Sequence, residues 1–201
     1  MRAKARVVGA IALLVALFLL TGCFFNVFET ARSVGKGKAA ITVAMAALNL
    51  AIEQETTWIL TPQGRLAVGL SDNLELGVKS GAMVGLSSGN IGFLGVIGDL
   101  KVTLFDQPDS FALALGFGGG YSSGTVGWGL EGSVYFDSTV PFFPLYAVYR
   151  PLLPLVGGET NLIHQFAAGL RLALSPNASL LVEVASWGGV LSAGLGFAVS
   201  F

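Results

Sequence analysis

Charged side chains in the apolar stretches of this chain keep to one side of a two-residue period. Glu75 and Lys79 alternate with Leu74, Leu76 and Val78; Asp99 and Lys101 alternate with Leu100, Val102 and Leu104. Glu131 alternates with Leu130 and Val134, and Arg171 with Leu170 and Leu172; Arg65 and Glu183 also fall on the polar face of their segments. Residues two apart on a strand share a face, so each segment has one greasy side and one polar side. The chain has a mean hydropathy of +0.74 and only 11% charged residues. Yet beyond the N-terminus no apolar run reaches the ~18 residues of a spanning helix. High apolarity dispersed over short alternating segments is the pattern of a transmembrane β-barrel with lipid outside and a polar lumen inside. A two-sheet sandwich with aromatic residues at its strand ends is the competing architecture.

Ten segments alternate in this way, at 38–50, 57–70, 74–84, 91–105, 111–121, 126–136, 143–150, 162–174, 179–187 and 191–201. They predict one all-β domain over 38–201, a single antiparallel up-and-down barrel of ten strands, with eight as the other even count. The segment 143–150 is the weakest, being short and bracketed by Pro141, Pro144, Pro151 and Pro154, since proline cannot donate to a ladder. Compact turns rich in Asp, Ser and Pro follow every second strand: Ser71-Asp72-Asn73, Asp106 to Asp109, Asp137-Ser138-Thr139 and Ser175-Pro176-Asn177. Trp58, Trp128 and Trp187, with Tyr121 and Tyr149, gather at the opposite strand ends. Phe105, Phe111, Phe136, Phe142, Phe143 and Phe201 gather at the turn side. Aromatic residues at both ends of an aliphatic band make the girdles of a membrane barrel.

The first residues are a sorting signal. Arg2, Lys4 and Arg6 precede an apolar stretch from Val7 to Leu20, which predicts a helical secretory signal over 1–22 that is removed from the fold. Leu20-Thr21-Gly22-Cys23 resembles the bacterial lipobox at all four positions. The resemblance implies cleavage before Cys23 and a thioether-linked diacylglycerol on it, usually with an acyl chain on the new amine; an ordinary cleaved signal is the alternative. Residues 23–37 then form a lipidated N-terminus and linker, polar at Glu29, Arg32 and Lys36. With Cys23 held at the periplasmic leaflet, the Asp/Ser/Pro turns and Phe201 are expected on the periplasmic side. Removing the signal takes three of eleven cationic residues, leaving eight against twelve acidic ones, a mildly acidic mature chain.

The inward residues carry both signs of charge. Counting back across the turns puts Arg171 near Glu183 and Glu75 near Lys101, two expected cross-strand ion pairs, with a solvated unpaired lumen as the alternative. Inward residues of the first, fifth and tenth strands are small: Ala40, Thr42, Ala44; Ala112, Ala114, Gly116, Gly118; Gly194, Gly196, Ala198. The first and last strands are expected to meet at the closing seam, with room beside them for a file of water or for the linker 24–36.

No constellation for catalysis emerges. His164 is the single histidine, and no inward Ser or Asp lies beside it by count. Gly116 to Gly120 lacks the Lys-Ser/Thr of a phosphate loop, and one cysteine cannot build a multi-cysteine metal site. No cofactor, no metal and no nucleic-acid partner is expected, the chain having no basic block.

The lipobox, the hairpin Gly69-Leu70-Ser71-Asp72-Asn73-Leu74-Glu75-Leu76-Gly77 and the closing Gly196-Phe197-Ala198-Val199-Ser200-Phe201 resemble those of bacterial outer-membrane β-barrel proteins. The closing residues, Gly196, Phe197, Val199 and Phe201 above all, resemble the C-terminal insertion signal of such barrels. The resemblance implies lipoprotein-processing and barrel-assembly machinery as partners, outer-membrane lipid as surroundings, a monomer, and a palmitate-type acyl chain at Cys23. It implies no specific activity. The expected role is non-enzymatic, as envelope structure or a binding surface, with a narrow channel for small polar solutes as the alternative.

Overall fold

The computed structural model describes residues 26–201 apart from 53–54, 87–88, 108, 123–126, 139, 141–143, 156–160 and 188. The signal, Cys23, Phe142 and Phe143 lie outside the described residues. Ten strands follow in order: β1 (Ala39–Ile52), β2 (Glu55–Gly69), β3 (Leu74–Gly85), β4 (Ile91–Asp106), β5 (Phe111–Ser122), β6 (Gly127–Ser138), β7 (Leu145–Pro154), β8 (Ile163–Ser175), β9 (Ala178–Trp187) and β10 (Val190–Ser200). Each pairs antiparallel with its sequence neighbours, and β1 pairs with β10, Ala44 opposite Gly196, to close the barrel. Closure removes every sheet edge, so no row of backbone donors and acceptors is left unpaired. Among the described residues no helix is long and apolar enough to cross a membrane.

One rim carries the start of β1, the end of β10 and the turns after β2, β4, β6 and β8; we call it the near rim. The far rim carries the connections after β1, β3, β5, β7 and β9. Alternation sorts the side chains as the sequence pattern requires. Val43, Leu66, Val78, Leu100, Leu115, Phe166 and Leu195 are exposed on the outside, while Glu75, Lys79, Asp99, Lys101, Glu131 and Glu183 are buried inside. At the near rim Phe105 stacks on Phe111 (4.8 Å between centroids), which in turn stacks on Phe136. At the far rim Tyr121 meets Trp128 edge-on.

Two departures from strict alternation matter. The β3–β4 register shifts between Gly81 and Ala82, opposite Gly95, whose φ of +151° suits glycine. This bulge puts both Leu94 and Ile97 inside, which a two-residue count does not. In β7, the strand continues through Pro151, which pairs with His164 of β8. On its other side the ladder to β6 skips from Leu152–Glu131 to Tyr149–Val134. The proline thus interrupts a ladder without ending the strand. Tyr146, Val148, Arg150 and Leu152 still all point inward and are buried.

Candidate functional site

The lumen is filled by the chain's own N-terminal segment. From the near rim, Gly37 N–H donates to Gly69 O and Lys36 N–H to Asp72 Oδ1 in the turn after β2. Moving inward, Val34 N–H donates to Glu75, and Arg32 reaches Asp106, Asp137 and the carbonyl of Gln107. Thr103 Oγ1 donates to Ala31 O at 2.8 Å, and Lys101 Nζ donates to the carbonyls of Thr30 and Arg32. Deeper still, the N–H groups of Val27 and Phe28 each donate to a different oxygen of Glu183 at 2.7 Å. Asn26 accepts from Ser192 Oγ at 2.7 Å. An irregular segment leaves its backbone groups without a ladder, and buried groups of that kind need partners. Here the wall supplies them.

Glu29 is the centre of the arrangement. Its Oε1 lies 3.4 Å from Arg65 Nε, 3.5 Å from Lys79 Nζ and 3.4 Å from an Arg150 nitrogen, and its Oε2 accepts from Tyr135 O–H at 3.1 Å. Burial alone would make a carboxylate here costly, and the three cations gathered on it offset that cost. Arg65 further pairs with Glu75 (2.8 Å) and Asp99 (2.6 Å), Lys79 and Arg150 with Glu131, and Lys101 with Glu75. In these pairs the wall contributes four cations, Arg65, Lys79, Lys101 and Arg150, against three carboxylates, Glu75, Asp99 and Glu131. Glu29 from the segment supplies the fourth negative charge. Isolated buried charge is very costly, and within this central network Glu29 brings the carboxylates level with the cations.

The positions expected from the sequence resolve individually. Glu75 and Lys101 are directly opposed in the β3–β4 ladder, and their charged groups are 3.1 Å apart. The expected Arg171–Glu183 pair does not form. Arg171 stands opposite Leu181 and Gly169 opposite Glu183, so the two are diagonally offset. Both are also committed elsewhere. Glu183 is saturated by the Val27 and Phe28 N–H groups and by Tyr146 O–H, while Arg171 contacts Asp137 at 3.3 Å and Ser179. Asp137 was expected in a turn but is an inward strand residue, the next step of the Glu131–Ser133–Tyr135 alternation. Arg150 was obscured by the prolines around it, and Glu29 by its place outside any strand.

The small inward residues make the room. Phe28 lies against the faces of Gly194 and Gly196 beside Ala44, and is itself buried. A remaining cavity of about 170 Å³ opens between the segment and Ala40, Thr42, Ala198 and Ser200.

Toward the far rim the lining changes character. Leu48, Ile59, Leu94, Ile97 and Leu152 form a buried apolar cluster, with Met83, Ile163, Trp187 and Val190 against it. Trp187 therefore departs from the expected girdle: parity with Leu181, Glu183 and Ala185 turns it inward. Trp58 and Trp128 do face outward. His164 is outside the barrel, its Nδ1 2.8 Å from Tyr149 O–H and its ring stacked on Tyr149, away from every luminal carboxylate. Among the described residues no cluster of three or more His, Cys, Asp or Glu is arranged to hold a metal ion.

No family model and no curated protein matches this chain. Among solved structures, it is similar to the N-terminal β-barrel domain of Pseudomonas aeruginosa OprF, with 15% identity, 83% of this chain and 99% of that one covered, and a TM-score of 0.39. It is similar to the KdgM porin at 11% identity, covering 81% and 99%, with a TM-score of 0.41. The transport unit of the Escherichia coli autotransporter AIDA-I gives 10% identity, coverage of 96% and 98%, and a TM-score of 0.45. At these scores the ten-strand closure stands on this chain's own ladders.

Proposed function

We propose that this chain is a non-enzymatic β-barrel lipoprotein of the bacterial outer membrane, anchored through Cys23, that serves as envelope structure or as a binding surface. The observation that carries the reading is the charge-matched filling of the lumen by residues 26–34, with Glu29 at its centre. A resting pore needs a continuous water path, and here backbone and side chains of the segment occupy the polar half. An outward aliphatic belt with aromatic rims supports residence in a bilayer. The lipobox residues Leu20 to Cys23 support lipidation, and Gly196, Phe197, Val199 and Phe201 support delivery by the barrel-assembly machinery. In this reading the protein is a monomer whose partners are outer-membrane lipid and the two processing machineries.

Planar-bilayer recording on the folded full chain tests it. Silence under applied voltage is the expected result. Discrete conductance steps from the intact protein would establish instead the narrow-channel reading, with the segment as a gate.

A further inference from the structure

Between the luminal segment and the closing seam lies the cavity of about 170 Å³, which runs to the near rim at Pro176, Asn177 and Ser200. A cavity of roughly 150 Å³ is enough to hold benzene, so this one has room for six or seven non-hydrogen atoms. Its floor is a row of small inward residues from three strands. Ser179 stands opposite Ala198, and Ala198 opposite Thr42. The row continues to Arg65, the partner of Thr42 on β2, and Arg171 on β8 reaches Ser179 Oγ from the other side at 3.4 Å.

The lining is unequal in charge. Arg32, Arg65, Lys101 and Arg171 face the space with only Glu29 and Glu75 as carboxylates; Asp99, Asp106 and Asp137, which pair with three of these cations, do not line it. Two of the arginines also have donors to spare. The Arg65 side chain is only 9% exposed, yet its Nε makes no hydrogen bond among the described residues, the 3.4 Å approach to Glu29 Oε1 being an ion pair alone. Arg171 contacts Asp137 through Nη1 and Ser179 through Nε, which leaves Nη2 without a partner among the described residues. Buried donors of this kind call for an acceptor.

We propose that the cavity is a binding site for a small hydroxylated carboxylate that enters from the near rim. Arg171 takes the carboxylate, and the Thr42 and Ser179 hydroxyls and Arg65 take the remaining oxygens along the row. Ala198 keeps the floor low enough for the ligand to lie across it. The site goes beyond the envelope role above and does not depend on lipidation, since every residue it uses lies in the barrel or in the seated segment.

Ligand-observed NMR titration of glycerate into the folded full-length protein in maltoside micelles tests this, with chloride exchanged for glycerate at constant ionic strength. Saturable binding in the millimolar range is expected, with the neutral isostere glyceramide about tenfold weaker for want of a charge-assisted hydrogen bond. Ala198→Leu fills the floor and should abolish binding. Arg171→Gln, at a side chain 31% exposed, leaves the fold in place and should weaken binding about tenfold. Each variant is first required to show the heat-modifiable mobility of the parent. No saturable binding by the parent, equal binding of glyceramide, or unchanged affinity in either folded variant overturns the site. Inorganic phosphate binding more tightly than glycerate overturns the carboxylate assignment.

Discussion

Phe28 lies so close to Gly196 that a Cβ built on the glycine would sit 2.9 Å from Phe28 Cδ1 and 3.2 Å from the Cβ of Ala44. The glycine is thus part of the seat for the luminal segment as well as part of the closing strand. Gly196→Val is expected to destabilise the folded barrel by the ~1–3 kcal/mol typical of overpacking, read as a lower urea midpoint in detergent. In a Phe28→Ala background the cost should shrink. An equal cost in both backgrounds would mean that the clash is with the wall and not with Phe28.

Glu29→Gln removes one negative charge from the centre of a buried network and leaves Arg65, Lys79 and Arg150 in excess. Breaking a buried ion pair from one side costs about 3–5 kcal/mol. The change should show as a lowered unfolding midpoint and as new protease cleavage between residues 26 and 36. Unchanged stability and protection would argue that the segment is held by its backbone contacts alone.

Arg171 should couple to Asp137 and not to Glu183. The Arg171 side chain is 31% exposed, so screening limits the coupling to roughly 0.2–1 kcal/mol. Double-mutant cycles with alanine at each pair measure this directly. A larger coupling for Arg171/Glu183 than for Arg171/Asp137 would contradict the observed register.

Leu195 and Met45 face each other across the closing seam on the outside of the barrel. Leu195→Lys places a charge on the outward face well inside the strand and is expected to cost ~2–4 kcal/mol in lipid vesicles, whereas Phe201→Lys at the rim should cost ~0–1. Equal costs at the two positions would be incompatible with a bilayer around the barrel.

The architecture was legible because closure and burial both act through a two-residue period. Charges at Glu75, Lys101 and Glu183 must avoid the outer face, and that single requirement sets the inside of nearly every strand. Legibility failed where the period is broken or absent. The bulge at Gly95 turns Leu94 inward, and no count across a regular strand reveals it. Arg150 follows the alternation, but Pro151 and Pro154 argued for ending the strand before the residue's role could be read. Glu29 lies in a segment with no period at all. Charge counting gives no hint of it either, since the inward charges read from the strands, Arg65, Lys79, Lys101 and Arg171 against Glu75, Asp99, Glu131 and Glu183, balance four to four. The small faces of Ala44, Gly194 and Gly196 mark a space that suits either a file of water or the linker, and the pattern of small residues does not distinguish them.

The hydrogen bonds that seat the segment join residues very far apart in the chain: Val27 and Glu183 differ by 156 positions, Asn26 and Ser192 by 166. Loop closure on that scale must precede any stabilisation it brings, which makes such contacts slow to form. Residues 26–34, which precede every strand of the barrel, therefore acquire their native surroundings only after β9 and β10, its last two strands, are in position. Seating of the luminal segment and joining of β1 to β10 are expected to fall together at the end of barrel assembly, so the finished barrel carries, in its centre, a record that its first and last strands have both arrived.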